Sequence, residues 1–381
     1  MSRWSEADRA HMREALDLAA RPGWRTHPNP MVGAVVVKDG RVVGRGWHRR
    51  PGGPHAEIMS LRDAGRRARG ATLYVTLEPC CHHGKTPPCT DAVIGAGVSR
   101  VVAAMRDPNP KVAGRGLRIL RRTRIQVETG LLGDAARRLN EAFFRRVEEN
   151  RPWVILKSAI SLDGKIATAS GDSKWITSAA SRAHVHRLRD SVDAILAGIG
   201  AVLADDPRLT ARPAGRTGRD PVRVILDSAL RIPLKAKALY RSSPASIIVA
   251  TTVRAEARRA LALRDRGVEV WVLPSRRGRV GLGSLLKKLA AREITTLLVE
   301  GGGEVAGSFL REGWVDRAAF YVAPVLIGGE KAPGPLQGAG AHRLNGAWNL
   351  EEAAVTPIGP DLLIEGYVRS RNRTARKRSR G

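Results

Sequence analysis

Cysteine is scarce in this chain and confined to one stretch. Only three cysteines occur among 381 residues, and Cys80, Cys81 and Cys89 all lie within ten positions. Two of them are adjacent and none lies elsewhere, so a framework of disulfides between distant segments is excluded. Thiolates clustered this closely indicate a metal site instead.

Aromatic and acidic residues are also few. The chain has four Phe and four Tyr, and 36 acidic against 65 basic residues give a net charge of +29. Such a charge attracts nucleic acid or phosphorylated ligands. Arginine is nevertheless scattered through every segment, and few aromatic rings are present to stack on bases. We therefore expect no nucleic-acid partner, and a disordered tail at 369–381, where seven basic residues and no acid occur.

Long apolar runs are absent as well. No run of 18 or more apolar residues occurs, so we expect neither a membrane span nor a membrane partner. Residues 1–6 lack the apolar core of a signal peptide, which, together with reduced thiols, predicts a cytoplasmic protein. The length itself predicts two to three domains.

The cysteine stretch belongs to a longer motif that begins at His55-Ala56-Glu57 and ends at Pro88-Cys89. His55, Cys80 and Cys89 offer one nitrogen and two sulfurs, a donor set that suits zinc. Three protein ligands leave room for a water, whose pKa zinc lowers to about 7. Glu57 is then the proton carrier, because His-x-Glu followed by Pro-Cys-x-x-Cys is the signature of zinc deaminases. Here eight residues, not two, separate Cys80 from Cys89.

A structural zinc site is the alternative. Cys81, His82 or His83 could close the coordination as a fourth ligand, which would make the protein a non-catalytic zinc-binding scaffold. Both Cys80 and Cys89 are expected at or near the start of the helix that follows strand 71–77, where the helix dipole favours thiolate.

Periodicity predicts two α/β domains, 1–150 and 151–368, with a proline-stopped helix between them. In the first we expect a helix capped by Ser5, a hairpin across Asp39-Gly40, and alternating helices and strands. In the second we expect strands and helices in alternation, and a hairpin in which 153–161 and 165–169 flank Leu162-Asp163-Gly164. The strands predicted after residue 70 are 71–77, 100–104, 125–127, 194–198, 222–227, 246–251, 268–273, 295–299 and 319–323. The helices predicted are 5–21, 55–65, 89–97, 141–149, 181–191, 253–266 and 282–292.

A glycine-rich run, Glu300-Gly301-Gly302-Gly303, follows strand 295–299 and opens a helix. Backbone amides at such a helix start form an anion cradle. A tight structural turn explains the same residues equally well.

Taken together, the motifs resemble one family. The segments 28–33, 44–48, 55–57 and 79–89 resemble the deaminase half of the bifunctional riboflavin-biosynthesis deaminase/reductases. The segments 157–165, 171–177, 186–189, 200–210 and 299–303 resemble its reductase half. The resemblance implies an N-terminal cytidine-deaminase-like three-layer α/β/α domain followed by a dihydrofolate-reductase-like α/β domain.

By that resemblance the chain binds one Zn²⁺ and uses NADPH, and its partners are phosphorylated pyrimidines. It would deaminate 2,5-diamino-6-(5-phosphoribosylamino)pyrimidin-4(3H)-one and then reduce the ribosyl group of 5-amino-6-(5-phosphoribosylamino)uracil to ribityl. A homo-oligomer, dimer or tetramer, is expected. The rival interpretation is a nucleic-acid-editing zinc deaminase with a basic, RNA-binding second domain.

The resemblance also assigns contact residues. The deaminase substrate would meet Asn29, His48, His82 and Lys85, although Asn29 could serve only its turn and His82 could only support the zinc. NADPH would meet Ala159, Trp175, Ala201, Asp205, Ser228, Gly302, Gly303, Glu304, Val305, Ala306, Gly307 and Ser308. The reductase substrate would meet Lys157, Ser173, Arg189, Leu209, Arg212 and Glu300.

Three of these assignments have particular consequences. Ala201 stands where the family pattern leads us to expect threonine, so only a backbone contact remains there. Arg189 and Arg212 suit a 5′-phosphate because guanidinium binds phosphate in a bidentate manner.

Overall fold

The computed structural model describes residues 3–83 and 87–369. The chain divides into two compact units, Met1–Arg151 and Pro152–Gly381, one residue from the expected boundary. Lys85 and the tail beyond Arg369 lie outside the described residues. In the described part of the chain, no helix combines the length and apolar character needed to cross a membrane.

The first unit alternates helices and strands. Its helices are α1 (Glu6–Ala20), α2 (Ala56–Ala64), α3 (Cys89–Gly95), α4 (Arg115–Arg121), α5 (Gly133–Leu139) and α6 (Glu141–Glu149). Its strands are β1 (Gly33–Lys38), β2 (Arg41–Trp47), β3 (Thr72–Val75), β4 (Arg100–Ala103) and β5 (Gln126–Thr129). The hairpin predicted across Asp39-Gly40 is present as β1 and β2, which pair antiparallel.

These strands form one sheet in the order β2-β1-β3-β4-β5. β1 pairs antiparallel with β2 and β3, whereas β3, β4 and β5 run parallel. Side chains alternate between the two faces, so Val36 packs in the cluster with α2, α3 and α4 while Val35 packs with α1 and α5. The first unit is therefore a three-layer α/β/α sandwich.

Two glycines set how closely α2 approaches the sheet. A Cβ on Gly46 would lie 2.3 Å from the carbonyl oxygen of Ala56 and 2.4 Å from the backbone nitrogen of Ser60. A Cβ on Gly44 would lie 2.2 Å from the carbonyl oxygen of Ser60. Only glycine permits this contact between backbones, and it fixes the start of α2, where His55 and Glu57 lie.

The second unit is larger. Its helices are α7 (Ala179–Ser191), α8 (Ile199–Asp205), α9 (Ala257–Asp265), α10 (Leu282–Ala291) and α11 (Gly303–Arg311). Its strands are β6 (Trp153–Ser161), β7 (Ala194–Gly198), β8 (Val222–Leu226), β9 (Ile247–Thr251), β10 (Glu269–Val272), β11 (Ser275–Arg276), β12 (Arg279–Val280), β13 (Thr296–Val299), β14 (Arg317–Ala323), β15 (Leu350–Ile358) and β16 (Asp361–Val368).

Nine of these strands form one sheet in the order β10-β9-β8-β7-β13-β6-β14-β16-β15. The seven strands from β10 to β14 are parallel, and β16 and β15 continue the sheet antiparallel. One hydrophobic cluster covers the face beneath α10 and α11, and another covers the face beneath α8 and α9. In open α/β sheets the ligand crevice lies at the carboxyl ends of the parallel strands. In this unit those ends lead into Ser161, Gly198, Ser228 and Glu300.

The predicted hairpin at 162–164 is wrong. β6 ends at Ser161, and residues 165–169 form no strand. The turn instead joins a later loop, because the backbone N–H of Leu162 donates to the carbonyl of Val325 and that of Ile166 donates to the carbonyl of Pro333, both at 2.8–2.9 Å. The N–H of Ser161 still donates to the carbonyl of Lys165 at 2.9 Å and closes the turn. A strand at 165–169 is excluded because β14 already pairs with β6 as far as Ser161.

Candidate active sites

Three side chains of the first unit converge as the motif predicted. His55 is the N-cap of α2, Cys89 is the first residue of α3, and Cys80 lies in the loop after β3. Nδ1 of His55 lies 3.1 Å from Sγ of Cys89 and 3.5 Å from Sγ of Cys80, and all three ligand atoms fall within 4.8 Å of one another. Cys89 thus begins a helix as expected, whereas Cys80 precedes that helix by nine residues. Cys80 is nevertheless in contact with the start of α3, because the backbone N–H of Cys89 donates to its Sγ at 3.4 Å.

The charges of this cluster suit a soft cation. Hydrogen bonds from the Cys89 thiol and from His55 lower the pKa of Cys80 despite its burial, which favours the thiolate form that binds metal. The hydrogen bond with Cys80 and burial raise the pKa of Cys89. One imidazole nitrogen and two sulfurs at these separations fit a tetrahedral zinc ion.

No fourth metal ligand joins the cluster among the described residues. Sγ of Cys81 is hydrogen-bonded to the carbonyl of Lys111 at 4.0 Å, and His82 and His83 are not part of the group. Nδ1 of His82 is buried without a hydrogen-bond partner in the described part of the chain. The structure therefore favours a three-ligand site over the closed structural site.

Glu57 lies in the first turn of α2, two residues after His55, and is 3% exposed. Burial raises its pKa to about 7, although the positive charge of His55 opposes the rise. A carboxyl group with a pKa near neutrality can both accept and release a proton, which is what a general acid/base requires.

Asn29 and His48 adjoin this cluster. Nδ1 of His48 lies 3.1 Å from the carbonyl of Pro54 and must donate to it, which leaves Nε2 to accept from Nδ2 of Asn29 at 3.1 Å. Burial lowers the pKa of His48, so the ring is neutral, and it meets the His55 ring edge-on with centroids 5.5 Å apart. The side chain of Asn29 therefore bonds to the site and not only to its own turn.

Two buried residues that the sequence analysis did not identify, Glu78 and Asn140, anchor the chain segments next to Cys80 and Asn29. Both carboxylate oxygens of Glu78 accept backbone N–H groups, from Asp107 (3.1 Å), Gly114 (2.9 Å) and Leu117 (3.2 Å). Asn140 accepts the N–H of Met31 at 2.7 Å and donates to the carbonyl of Met31 at 2.8 Å. In the sequence, an acidic residue placed between an apolar run and Pro79-Cys80 was a usable signal for Glu78. The sequence around Asn140 contains no comparable signal.

In the second unit, a charged triad is largely buried at the carboxyl end of the sheet, with side-chain exposures of 8–15%. Arg189 donates Nε and Nη2 to the two carboxylate oxygens of Glu300, each at 2.8 Å, and Nζ of Lys157 lies 3.6 Å from the same carboxylate. Burial raises the pKa of Glu300, but Arg189 and Lys157 outweigh it and bring the pKa to about 2. Burial lowers the pKa of Lys157.

α7 also holds the loop that carries Arg212. The backbone N–H of Arg212 donates to Nδ1 of His186 at 3.2 Å, and its guanidinium donates to the Thr210 hydroxyl. Four residues further along α7, Asp190 accepts from the N–H of Arg219 at 2.6 Å. The structure thus brings Arg212 into one neighbourhood with Arg189, and the phosphate-binding role of the two arginines stays a prediction.

The other predicted contact residues are spread around the same end of the sheet. Ser173 donates to Asp205 at 2.8 Å, and Trp175 is 70% exposed with Arg182 stacked 4.6 Å from its ring. Ala159 lies on β6 opposite Tyr321, and Ala201 lies in α8. The side chain of Leu209 is buried in the hydrophobic cluster beneath α8 and α9, so its backbone is the part left to meet a ligand.

The glycine run has two structural effects: one glycine allows close packing against a later loop, and another leaves the start of α11 free of side chains. A Cβ on Gly303 would lie 2.6 Å from Gly334 O, and one on Gly307 would lie 2.0 Å from Gln337 O, so both glycines are required by the loop at 334–337. Gly302 has φ +43° and nothing within 4 Å of a Cβ, and it is the N-cap of α11. The packing interpretation therefore holds for Gly303, whereas the anion cradle at Gly302 stays a prediction. The later predicted contacts, Glu304 to Ser308, lie in α11.

Sequence comparisons cover both units. Residues 5–105 match the family model described as the cytidine and deoxycytidylate deaminase zinc-binding region, and residues 152–364 match the RibD C-terminal domain. The riboflavin biosynthesis protein RibD of Aquifex aeolicus is 45% identical over 359 residues, which cover 94% of this chain and 98% of that protein. The RibD protein of Escherichia coli K12 is 42% identical over 94% of this chain and 98% of its own length.

Solved structures of related proteins are similar to this chain along nearly its whole length. RibD from Acinetobacter baumannii (form 1) superimposes with a TM-score of 0.86 at 38% identity, covering 96% of this chain and 99% of that one. The diaminohydroxyphosphoribosylaminopyrimidine deaminase/5-amino-6-(5-phosphoribosylamino)uracil reductase from Thermotoga maritima has a TM-score of 0.79 at 37% identity, with the same coverage.

Proposed function

Because the chain belongs to the RibD family of bifunctional riboflavin-biosynthesis enzymes, with a zinc-dependent deaminase half and a reductase half, we propose the substrate of each half and the residues that act on it. The first half removes ammonia hydrolytically from 2,5-diamino-6-(5-phosphoribosylamino)pyrimidin-4(3H)-one. The second reduces the ribosyl group of the product, 5-amino-6-(5-phosphoribosylamino)uracil, to ribityl with NADPH. The activities named for the Thermotoga maritima relative support this assignment.

In the deaminase half, His55, Cys80 and Cys89 hold the zinc ion; their convergence is the observation that carries the proposal. When bound, zinc supplies a Lewis acid that lowers the pKa of a water to about 7. Glu57 takes one proton of the attacking water and delivers it to the ring nitrogen. It then takes the second proton, from the hydroxyl now on the ring carbon, and delivers it to the amine, which leaves as ammonia while the carbonyl forms. Its buried carboxyl, with a pKa of about 7, supports this shuttle.

Asn29 and His48 orient the pyrimidine. Asn29 donates one amide hydrogen to His48, so its carbonyl oxygen and its other hydrogen remain to pair with a ring edge. His82 completes the grip on the base, and its buried Nδ1 without a partner among the described residues supports that role. For Lys85, which lies outside the described residues, we keep the proposal that it binds the substrate phosphate.

Replacing Glu57 by Gln tests the deaminase assignment. We expect the variant to retain one zinc per chain while ammonia release falls by roughly 10²–10⁴-fold, because the amide cannot carry the proton. Zinc content and ammonia release are measured on the same sample. Retained turnover would falsify the role of Glu57, and loss of zinc would show that the residue supports the ligands instead.

In the reductase half, hydride chemistry belongs to NADPH and the protein positions it. The unhindered start of α11 after Gly302 fits a pyrophosphate, and Ser228 and Trp175 lie at the same end of the sheet. We assign the sugar to the buried groups of Lys157 and Glu300, with Lys157 as the candidate acid/base because burial lowers its pKa.

Arg212 and Arg189 are the proposed 5′-phosphate ligands, and they differ in whether an acidic side chain already binds their guanidinium group. Arg189 already binds both oxygens of Glu300. Arg212 pairs with no carboxylate among the described residues, so it is the main ligand. Ser173 and the backbone of Leu209 complete this contact.

Assembly and location are also proposals. We propose a homo-oligomer because β15 is an edge strand exposed over most of its nine residues, and exposed edges favour pairing. We propose the cytoplasm because three free cysteines require a reducing compartment. Light scattering of the purified chain, and fractionation of the cell that makes it, test the two statements. The phosphorylated pyrimidines remain the proposed partners, without nucleic acid.

A further inference from the structure

Tyr321 is a buried titratable group that the proposed mechanism does not use. It lies on β14, and only 1% of it is exposed. β14 pairs parallel with β6, and this register places Tyr321 beside Ala159 and Ala319 beside Lys157. Residues paired across neighbouring strands, and alternate residues along one strand, share a face of the sheet. The side chains of Lys157 and Tyr321 therefore project from the same face.

The two side chains are in contact. Nζ of Lys157 lies 5.7 Å from the centroid of the Tyr321 ring, over the ring. An ammonium within about 6 Å of a ring centroid is attracted by the negative face of the ring. The other close partner of this ammonium is the carboxylate of Glu300, at 3.6 Å. Because the side chain of Lys157 is only 14% exposed, little water competes with either partner.

The ring is itself held by α7. A hydrogen bond of 2.7 Å joins the Tyr321 hydroxyl to Nδ1 of His184, and the two ring centroids lie 5.8 Å apart. Burial and the nearby charge of Arg187 lower the pKa of His184, so its ring is neutral. The bond is made at the edge of the tyrosine ring, which leaves the face of that ring to Lys157.

Lys157 shares the carboxylate of Glu300 with Arg189, which binds both carboxylate oxygens at 2.8 Å. Burial lowers the pKa of Lys157, Glu300 raises it, and repulsion by Arg189 lowers it again. Burial, Glu300 and Glu365 of β16 raise the pKa of Tyr321, so the phenol stays neutral. The Tyr321 ring therefore favours the ammonium form of Lys157 without adding a charge that Arg189 could bind.

We infer that Tyr321 is a positioning residue for the reduction: its ring, fixed by His184, holds the side chain of Lys157 in the ammonium form beside Glu300. The inference rests on the proposed role of Lys157 as the acid/base of the reductase half. Conversion of ribosyl to ribityl breaks the bond between the ring oxygen and the anomeric carbon. The carbon receives a hydride from NADPH, and the oxygen receives a proton. An ammonium group can supply that proton, whereas a neutral amine cannot.

The protonation of Lys157 is measured first, on the full-length protein without cofactor or substrate. Acetylation of Lys157 by acetic anhydride at several pH values, followed by mass spectrometry, gives its pKa. In Tyr321→Leu we expect a lower pKa than in the unaltered protein, because the ammonium loses the ring. Tyr321→Phe keeps the ring but frees it from His184, so a smaller decrease is expected. Tyr240→Leu, at a position that is 52% exposed, is the matched control and should change nothing.

Activity provides the second measurement. NADPH oxidation with 5-amino-6-(5-phosphoribosylamino)uracil is followed as a function of pH. For Tyr321→Leu we expect kcat to fall roughly 3- to 30-fold on the basic side, which corresponds to the loss of one partly desolvated cation–π contact. The basic limb of the profile should move to lower pH, while KM for the pyrimidine and Kd for NADPH stay unchanged. A merely structural role would lower activity by one factor at every pH and leave the limb in place.

The variant Lys157→Met separates this inference from the role on which it rests. If Lys157→Met keeps full NADPH oxidation, the proposed acid/base is wrong and the inference fails with it. If Lys157→Met is inactive while Tyr321→Leu has the acetylation curve and pH profile of the unaltered protein, only the role of Tyr321 is overturned. Urea unfolding shows whether each variant is folded. Should Tyr321→Leu not fold, Tyr321→Phe decides, and curves identical to those of the unaltered protein overturn the inference.

Discussion

At the scale of single residues, the sequence revealed the groups that do chemistry better than the groups that hold them. His55 and Glu57 are separated by one residue at a helix start, so local spacing was enough to predict that they act together. Glu78, Asn140 and Asp190 bind backbone N–H groups that are 29 to 109 positions away. No local pattern encodes such a partner, and these residues became visible only in the fold.

The buried triad gives the first residue-scale prediction. In Glu300→Gln, Arg189 and Lys157 lose their common counter-charge while remaining buried. We expect the second unit to lose about 3–5 kcal/mol of unfolding free energy and NADPH oxidation to disappear, with ammonia release unchanged. Urea unfolding and the two assays measure this. The exposed Glu330→Gln is the control, and identical unfolding midpoints for the two variants would contradict the expectation.

His186 gives a pH prediction. Burial, with Arg189 and Arg212 nearby, lowers its pKa to about 4 from an ordinary value of 6.5. Between pH 6.5 and 4 the unfolded chain therefore binds a proton that the folded chain does not, so stability falls as the pH is lowered through this window.

His186→Gln removes this contribution. We expect its unfolding free energy to depend less steeply on pH between 6.5 and 4 than that of the unaltered protein. Urea unfolding at several pH values measures the slope, with the exposed His342→Gln as control. Parallel curves for the unaltered and His186→Gln proteins would show that the ring titrates alike in both states.

At the scale of elements, prediction succeeded where burial imposes a pattern. The parallel strands of the second unit are buried on both faces and appear in the sequence as apolar runs. Their predicted ends therefore lie within one or two residues of the observed ends. β15 is exposed over most of its length and has no apolar alternation, so it was missed. The false strand at 165–169 arose from a turn signal whose partners lie in the loop after β14.

The contact between β2 and α2 is testable at this scale. Gly46→Ala places a methyl group against the backbone of α2, which must shift because backbone atoms cannot swing aside. We expect lost zinc affinity and lost ammonia release, since the shift moves His55 and Glu57, with NADPH oxidation unchanged. The matched control is Gly95→Ala on α3, which has open space for a Cβ. Normal zinc content in Gly46→Ala would mean that α2 is positioned by other contacts.

At the scale of the whole molecule, the order of the motifs along the chain was what identified the family. The predicted family and the two predicted fold classes are confirmed by relatives that match along nearly the whole chain. The charge of +29 decided nothing about function by itself. The motifs succeeded because each one combines residue types and spacing that its chemistry requires, whereas net charge describes only the surface.

Metal removal should separate the two activities. All three proposed zinc ligands lie in the first unit, so dialysis against a chelator is expected to abolish ammonia release and lower the unfolding temperature of that unit. NADPH oxidation and the unfolding of the second unit should not change. Added zinc should restore the first activity. A parallel fall of both activities would show that the reductase half also depends on the metal.

The three backbone bonds of Glu78 bear on the order of assembly. They tie the segment 107–117 to the residue that directly precedes Pro79-Cys80, and they need no cation to form. Small zinc fingers acquire their shape from the ion. In this protein we expect folding itself to position the segment that carries Cys80, so that zinc binds to a chain that is already folded there.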